Sequence, residues 1–232
     1  MRTVALAVVG QGPLVDWSWI WRHTDDIVSR LLQHVILTAI AVGLGFAISL
    51  VLSLLVVRWR RLYGLVASVA GILYTIPSLA LFGVLVTVTG PTKTTAEIAL
   101  VSYTLLILIR NIVAGLDGVP GDVREAAVGM GLSPLQVLLK VDLPLALPVI
   151  VAGLRVATVT TIGLVTISAT INVPNLGSFI TEGLGRFFMT PVLLGAVLSI
   201  ALAVVADVAL LGVQRVVAPW SRRSAEAEVT RR

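Results

Sequence analysis

Residues 122–148 read DVREAAVGMGLSPLQVLLKVDLPLALP, a polar stretch with two helix-start signals set between long apolar runs. Asp122 is placed to cap a helix whose Glu125 can reach back to it, and Val123, Ala126, Ala127 and Met130 recur on one face at helical spacing. Gly129 and Gly131 offer a stop. Ser133 then caps a second helix, with Pro134 at the favoured first position and Gln136 as its reciprocal partner. Leu135, Leu138 and Leu139 give that helix an apolar face before Pro144 and Pro148, which are expected to redirect the chain. The stretch is too short and too polar to cross a bilayer. From capping and periodicity alone it either packs on its own bundle as an interfacial loop or docks on a partner.

The surrounding chain is built for lipid. Of its 232 residues 57% are hydrophobic and only 12% charged, and the mean hydropathy is +1.02, far too apolar for a soluble domain of this size. A net charge of +5 invites a nucleic-acid reading, but the Arg and Lys residues lie between or beyond the apolar runs, where membrane topology accounts for them. The partner they point to is membrane lipid, with no nucleic acid. The absence of Cys removes disulfides and thiolate metal sites. The N-terminal run Val4 to Val9 lacks the long apolar region and cleavage signal of a secretory peptide, so the N-terminus is expected to be retained.

A helix needs about 20 residues to cross the hydrocarbon layer. Leu31 to Val57, Leu62 to Thr89, Ile98 to Ala114, Leu145 to Ile171 and Val192 to Val217 qualify or come close, with Pro77 expected to kink or break the second near Thr75 to Ser78. Arg58, Arg60 and Arg61 follow the first span, and Arg215, Arg222, Arg223, Arg231 and Arg232 follow the last, marking cytoplasmic ends. The region from Arg110 to Lys140 is basic at its flanks too, so an even number of crossings separates it from Arg58. Leu62 to Thr89 therefore counts once. The expected topology has five helices, the N-terminus outside and the C-terminus inside, with Trp17, Trp19 and Trp21 anchoring an outer interfacial segment.

Glu125-Ala126-Ala127, three residues, Gly131, nine residues, then Val141, Asp142, Leu143 and Pro144 resembles the signature loop of permease subunits of binding-protein-dependent ABC importers. The resemblance implies an all-α integral membrane fold: a five-helix importer permease core with a cytoplasmic coupling-helix loop between the third and fourth spans. Residues 1–30 then form an external or interfacial segment, 31–217 the transmembrane domain with its coupling loop at 117–144, and 218–232 a cytoplasmic basic tail. Leu73 to Phe82, Leu108 to Asn111 and Leu143 to Thr161 are similar to the osmoprotectant branch, whose members carry glycine betaine, choline, carnitine and related solutes. One departure is visible. Where that branch commonly has Gly-Gly-Leu-Gly, this chain has Asn172 to Gly177 and keeps only Leu176-Gly177.

Within the loop, Glu125, Ala126, Ala127, Gly131, Leu143 and Pro144 match the motif and are the candidates for ATPase coupling. The small residues let a partner approach the backbone, and Glu125 can pair with a cation or accept backbone donors there. Two charges lie inside apolar spans. Arg155 falls eleven residues after Pro144 and Asp207 ten before Val217, so both sit roughly 15 Å from the inner ends, which predicts an ion pair facing the bundle interior. Thr75, Pro77, Ser78, Thr158 and Thr161 are candidates for a polar pathway or gate, although Ser and Thr also bond to their own helices. Ser168, Thr170 and Thr160 carry the same ambiguity. Ala39, Gly43 and Ala47 form a small-residue stripe suited to close packing in the protomer or in a dimer. Gly90 to Thr95 reads as a loop.

His23 and His34 form no metal cluster, and no nucleotide-binding motif is visible. The expectation is a non-enzymatic permease with no cofactor of its own, ATP and Mg being bound by partner ATPase subunits. The implied assembly has two cytoplasmic ABC ATPase subunits, a second permease chain alike or related, and a separate extracytoplasmic solute-binding protein in the bacterial cytoplasmic (inner) membrane. No binding domain is expected to be fused to the chain. Other readings stay open: an importer of amino acids or another small solute, a membrane-embedded enzyme, or a non-transporting structural subunit.

Overall fold

The computed structural model describes residues 14–219. The Arg residues at 222, 223, 231 and 232, most of the basic tail and the run from Val4 to Val9 lie outside the described residues. Among those described, every element is helical. In order they are α1 (Trp17–Arg22), α2 (Thr24–Arg58), α3 (Leu62–Thr75), α4 (Ser78–Thr89), α5 (Lys93–Asp117), α6 (Gly121–Gly129), α7 (Pro134–Val137), a π turn (Leu138–Asp142), α8 (Leu143–Ser168), a 3-10 turn (Ala169–Ile171), α9 (Leu176–Gly185) and α10 (Met189–Val217).

Four helical runs are long and apolar enough to cross a membrane: α2, α5, α10 and the continuous run Pro134–Ile171. The α3 and α4 pair passes the same test only together and is bent by 95°, as a broken span or a re-entrant loop. The break follows from Pro77, which has no N–H and keeps Ile76 out of the helical region, so both residues take extended angles (ψ 127° and 130°). Two expectations require correction. Pro144 and Pro148 do not redirect the chain, because the π turn absorbs the first, with the Leu143 N–H reaching back to the Leu138 carbonyl, and Pro148 is carried inside the 26 residues of α8. The loop at Gly90 to Thr95 is shorter than read: Lys93 already begins α5, and the Thr92 hydroxyl accepts from the Thr95 N–H.

The chain divides into two compact units. The first comprises Met1–Ile40, Pro77–Leu100 and Ile162–Ala203. In it Trp19 stands edge-on to Phe179 and Phe188, while Trp17 and Trp21 are exposed on the same short helix. The Asp16 carboxylate caps that helix and lies below the usual carboxylate range, through its bonds from the Ser18 hydroxyl and the Trp19 N–H. Helix α9 was not legible in the sequence. Asn175 caps it and is fully buried, its amide donating to the Ser168 hydroxyl (3.1 Å) and the Val173 carbonyl (2.8 Å). Buried His34 donates through Nε2 to the Ile162 carbonyl at 3.1 Å.

The second unit comprises Ala41–Ile76, Val101–Thr161 and Val204–Arg232. Leu108, Ile112 and Leu116 of α5 pack with Ala146, Ile150 and Ala157 of α8, flanked by Phe46, Leu50 and Leu54 of α2. A second cluster joins Val56 of α2, Ala70 of α3 and Ile109 and Val113 of α5. Lipid tails are as apolar as these side chains, so the helices are held by close packing rather than by escape from water. Gly153 allows one such close approach: any Cβ there would overlap the side chain of Asn111. The Ala39, Gly43 and Ala47 stripe does not serve this purpose in the protomer, where all three are exposed; Gly45, against Thr104, does.

Gly153→Val is therefore expected to cost about 1–3 kcal/mol by overpacking, lowering the thermal midpoint of the detergent-solubilised protein. Gly43→Val, with nothing within 4 Å of the added carbon, is expected to leave the same midpoint unchanged.

Candidate functional site

The loop between α5 and α8 has a built geometry. Pro120 starts α6 at Gly121, which corrects the expected cap: Asp122 lies in the first turn, no side chain caps the helix, and Glu125 makes no capping box. A fixed proline φ just before the helix selects this earlier start. The end of α6 is a Schellman motif. Gly131 has φ +83°, its N–H bonds to the Val128 carbonyl (2.9 Å), and the Leu132 N–H reaches the Ala127 carbonyl (3.2 Å). The Ser133 and Gln136 box is present as read, with Gln136 Oε1 accepting from the Ser133 N–H at 2.8 Å.

Two arginines tie the loop to its base. Arg124 Nε donates to Asp142 Oδ1 at 2.7 Å, and its Nη2 donates to the carbonyl of Leu116 in the last turn of α5. Arg60 clasps Asp117 with both terminal nitrogens, and that carboxylate raises the arginine's proton affinity. One guanidinium thus connects α6 to the end of α5 and to the π turn that leads into α8. The sequence reading placed Arg124 only as a topology marker; the signal available was its offset of eighteen residues from Asp142, which nothing local identifies as contact.

The motif residues separate by exposure. Glu125, Ala126 and Gly131 are exposed, Leu143 and Pro144 half-buried, and Ala127 is 1% exposed beneath the helix. The expected single face of Val123, Ala126, Ala127 and Met130 is corrected accordingly. Met130 is 74% exposed because it lies past the last helical turn, and Val128, Leu135 (63%) and Leu139 are exposed with it. Large apolar side chains bared on a loop too short to span are suited to covering by another protein.

Elsewhere the predicted residues fall into different settings. Arg155 Nε and Nη2 donate to Asp207 Oδ1 and Oδ2, both at 2.8 Å. The pair does not face an enclosed interior, as its side chains remain 26% and 36% exposed; α10 leaves this stretch largely uncovered in the single chain. One heptad away on each antiparallel helix, Gln214 Nε2 donates to the Pro148 carbonyl at 3.2 Å, a second clamp the sequence reading missed. The Thr75 and Thr158 hydroxyls bond within their own helices, to the carbonyls of Ile72 and Leu154 (both 2.8 Å), and Thr161 is buried. Pro77 is exposed and Ser78 half-buried at the start of α4. The Ile76 carbonyl, freed by the break, accepts from the Tyr103 hydroxyl, while Tyr74 stacks edge-on against Tyr103 with centroids 6.0 Å apart. Among the described residues no group of three or more His, Asp or Glu gathers as for a metal.

The profile describing the inner membrane component of binding-protein-dependent transport systems matches residues 39–219. The chain is 37% identical to the osmoprotectant import permease protein OsmW of Salmonella typhimurium, over 83% of this chain and 92% of that one. It is 33% identical to the glycine betaine/carnitine/choline transport system permease protein OpuCD of Bacillus subtilis, over 85% and 86% of the two chains. Among solved structures, an inward-facing MetNI methionine ABC transporter superposes with a TM-score of 0.75 at 22% identity, over 88% of this chain and 99% of that one. An amino acid ABC transporter superposes at 0.74 and 19% identity, over 87% and 98%. At such identities these two carry the fold alone.

The positive φ at Gly131 sets a prediction. Gly131→Asn, which tolerates the left-handed region, is expected to keep coupling; Gly131→Leu costs about 1–2 kcal/mol of local stability and is expected to lose it. The ratio of solute-stimulated to basal ATP hydrolysis in the reconstituted assembly is the readout. Arg124→Gln is expected to lower the same ratio several-fold while partner subunits still co-purify.

Proposed function

Because the chain belongs to the family of inner-membrane components of binding-protein-dependent transport systems, we propose that its cargo is a quaternary ammonium osmoprotectant, moved by alternating access that ATPase subunits drive through the α5 to α8 loop. The chain is a multi-pass transmembrane permease, a transport component and not an enzyme. The membrane-enzyme reading gives way to the family, and the amino-acid reading has only the fold likeness of two transporters behind it. The cargo reading rests on the permeases named for osmoprotectants and for glycine betaine, carnitine and choline, at 33–37% identity across more than four-fifths of the chain.

The loop geometry carries the mechanism. An ATPase surface closing on Glu125, Ala126 and the bared Met130 and Leu135 pushes a unit whose two helix ends are fixed by the Gly131 turn and the Ser133 box. Arg124 passes that displacement to the end of α5 and, through Asp142, to the helical run continuing into α8 with Leu143 and Pro144. Two such chains, alike or related, working on two ATPase subunits that bind ATP and Mg, switch the bundle between outward and inward access. The separate binding protein selects the solute. In this arrangement α3 and α4 form one broken crossing, the N-terminus lies outside and the C-terminus inside. Thr75, Ser78, Thr158 and Thr161, in helices, and Pro77, at the break between α3 and α4, move with the gate.

Reconstitution with the cognate ATPase and binding protein tests the reading. Glycine betaine, choline or carnitine is expected to stimulate ATP hydrolysis several-fold and methionine to leave it at the basal rate. ATPase association without stimulation by any of the three overturns the cargo; failure of any ATPase to associate overturns the coupling role of the loop.

A further inference from the structure

Tyr103, Arg110 and Asp117 follow one another on α5 at intervals of seven residues, two turns each, so the three lie along one stripe of the helix. Asp117 at the end of the stripe is taken by Arg60. Arg110 is exposed, and among the described residues its guanidinium has neither an ion pair nor a hydrogen bond. It lies about 10 Å in from the end of the span. Helical side chains lean toward the N-terminus of their helix, which here means away from the nearer headgroups and toward Tyr103. An unpaired guanidinium so directed cannot rest against hydrocarbon and belongs on a hydrated path.

The other end of the stripe is aromatic. Tyr103 is 4% exposed and fixed by its hydroxyl bond to the Ile76 carbonyl, and Tyr74, 39% exposed, stands edge-on to it. Tyr74, Ile76, Tyr103 and Arg110 all belong to the second unit. A tyrosine face beside a backbone carbonyl at a helix break attracts a cation that has no hydrogen bond to donate, which describes a quaternary ammonium. A guanidinium two turns away attracts a carboxylate and can hold it with two parallel bonds. Glycine betaine and carnitine carry both groups in one short molecule, whereas choline has the ammonium and only a hydroxyl. We propose that the Tyr74 and Tyr103 corner and Arg110 form a transit site within the permease for zwitterionic solutes, with the ammonium against tyrosine and the carboxylate on Arg110. The arginine stem, leaning back, shortens the axial gap of about 10 Å toward the length of such a solute. This rests on the cargo reading above and adds to it a preference for betaines over choline, exercised after the binding protein has released its load.

Uptake of labelled solutes by proteoliposomes holding the full assembly, with its ATPase and binding protein, is the measurement. Arg110→Gln is expected to lower glycine betaine and carnitine uptake about tenfold while choline uptake stays within about twofold. Arg110→Lys, which keeps the charge without the planar fork, is expected to fall between. Tyr74→Leu is expected to lower uptake of all three about tenfold and Tyr74→Phe to retain it, since phenylalanine keeps the ring face. Equal losses for all three solutes in Arg110→Gln would leave Arg110 a purely structural part and overturn the proposal, as would unchanged betaine uptake. Should Arg110→Gln fail to assemble, an unaltered betaine-to-choline ratio in Arg110→Lys, or full uptake by Tyr74→Leu, overturns it instead. A wild-type assembly that takes up none of the three defeats the cargo reading itself, before the transit site is at issue.

Discussion

Lipid cannot hydrogen-bond a peptide group, and the rest of this structure is arranged around that constraint. Backbone donors and acceptors are satisfied inside helices, and at several helix breaks a specific group takes over. Tyr103 supplies a hydroxyl to the Ile76 carbonyl at the Pro77 break. Asn175 and Ser178 exchange bonds where α9 begins, and the Leu132 and Gly131 amides close the end of α6.

The loop between α5 and α8 is held stiff by local bonds of the same kind. A flexible connection would absorb a push; this one has a Schellman stop, a capping box and a continuous helical run through the π turn into α8. Arg124 adds a charge-assisted link between two ends of the loop that are eighteen residues apart. A displaced α6 therefore has few ways to move without carrying α8 with it. Val128, Met130, Leu135 and Leu139 stand exposed around it, while Ala127, buried under the helix, keeps α6 seated.

Much of this was legible. The apolar runs marked the spans because helix length is tied to bilayer thickness, Pro77 marked the break because it lacks a donor, and Ser133, Pro134 and Gln136 marked a cap because each supplies a local bond. The spacing from Glu125 to Pro144 carried the family. Arg155 and Asp207 were matched in depth from helix rise alone. What failed were inferences in which one local signal competed with a stronger neighbour: Asp122 lost the cap to Pro120, and Pro144 and Pro148 were overruled by the π turn and by helix continuity.

The sequence by itself determined the solvent, the class and the rigid ends of the loop, since these depend on composition and on bonds between residues a few positions apart. The tertiary structure decided which groups meet across long separations. Arg124 with Asp142, Gln214 with Pro148, Gly153 against Asn111 and the open flank of the Arg155 pair all depend on how helices are set side by side. No periodicity encodes that, because in lipid the choice of neighbour is made by close fit between surfaces and not by hydrophobicity.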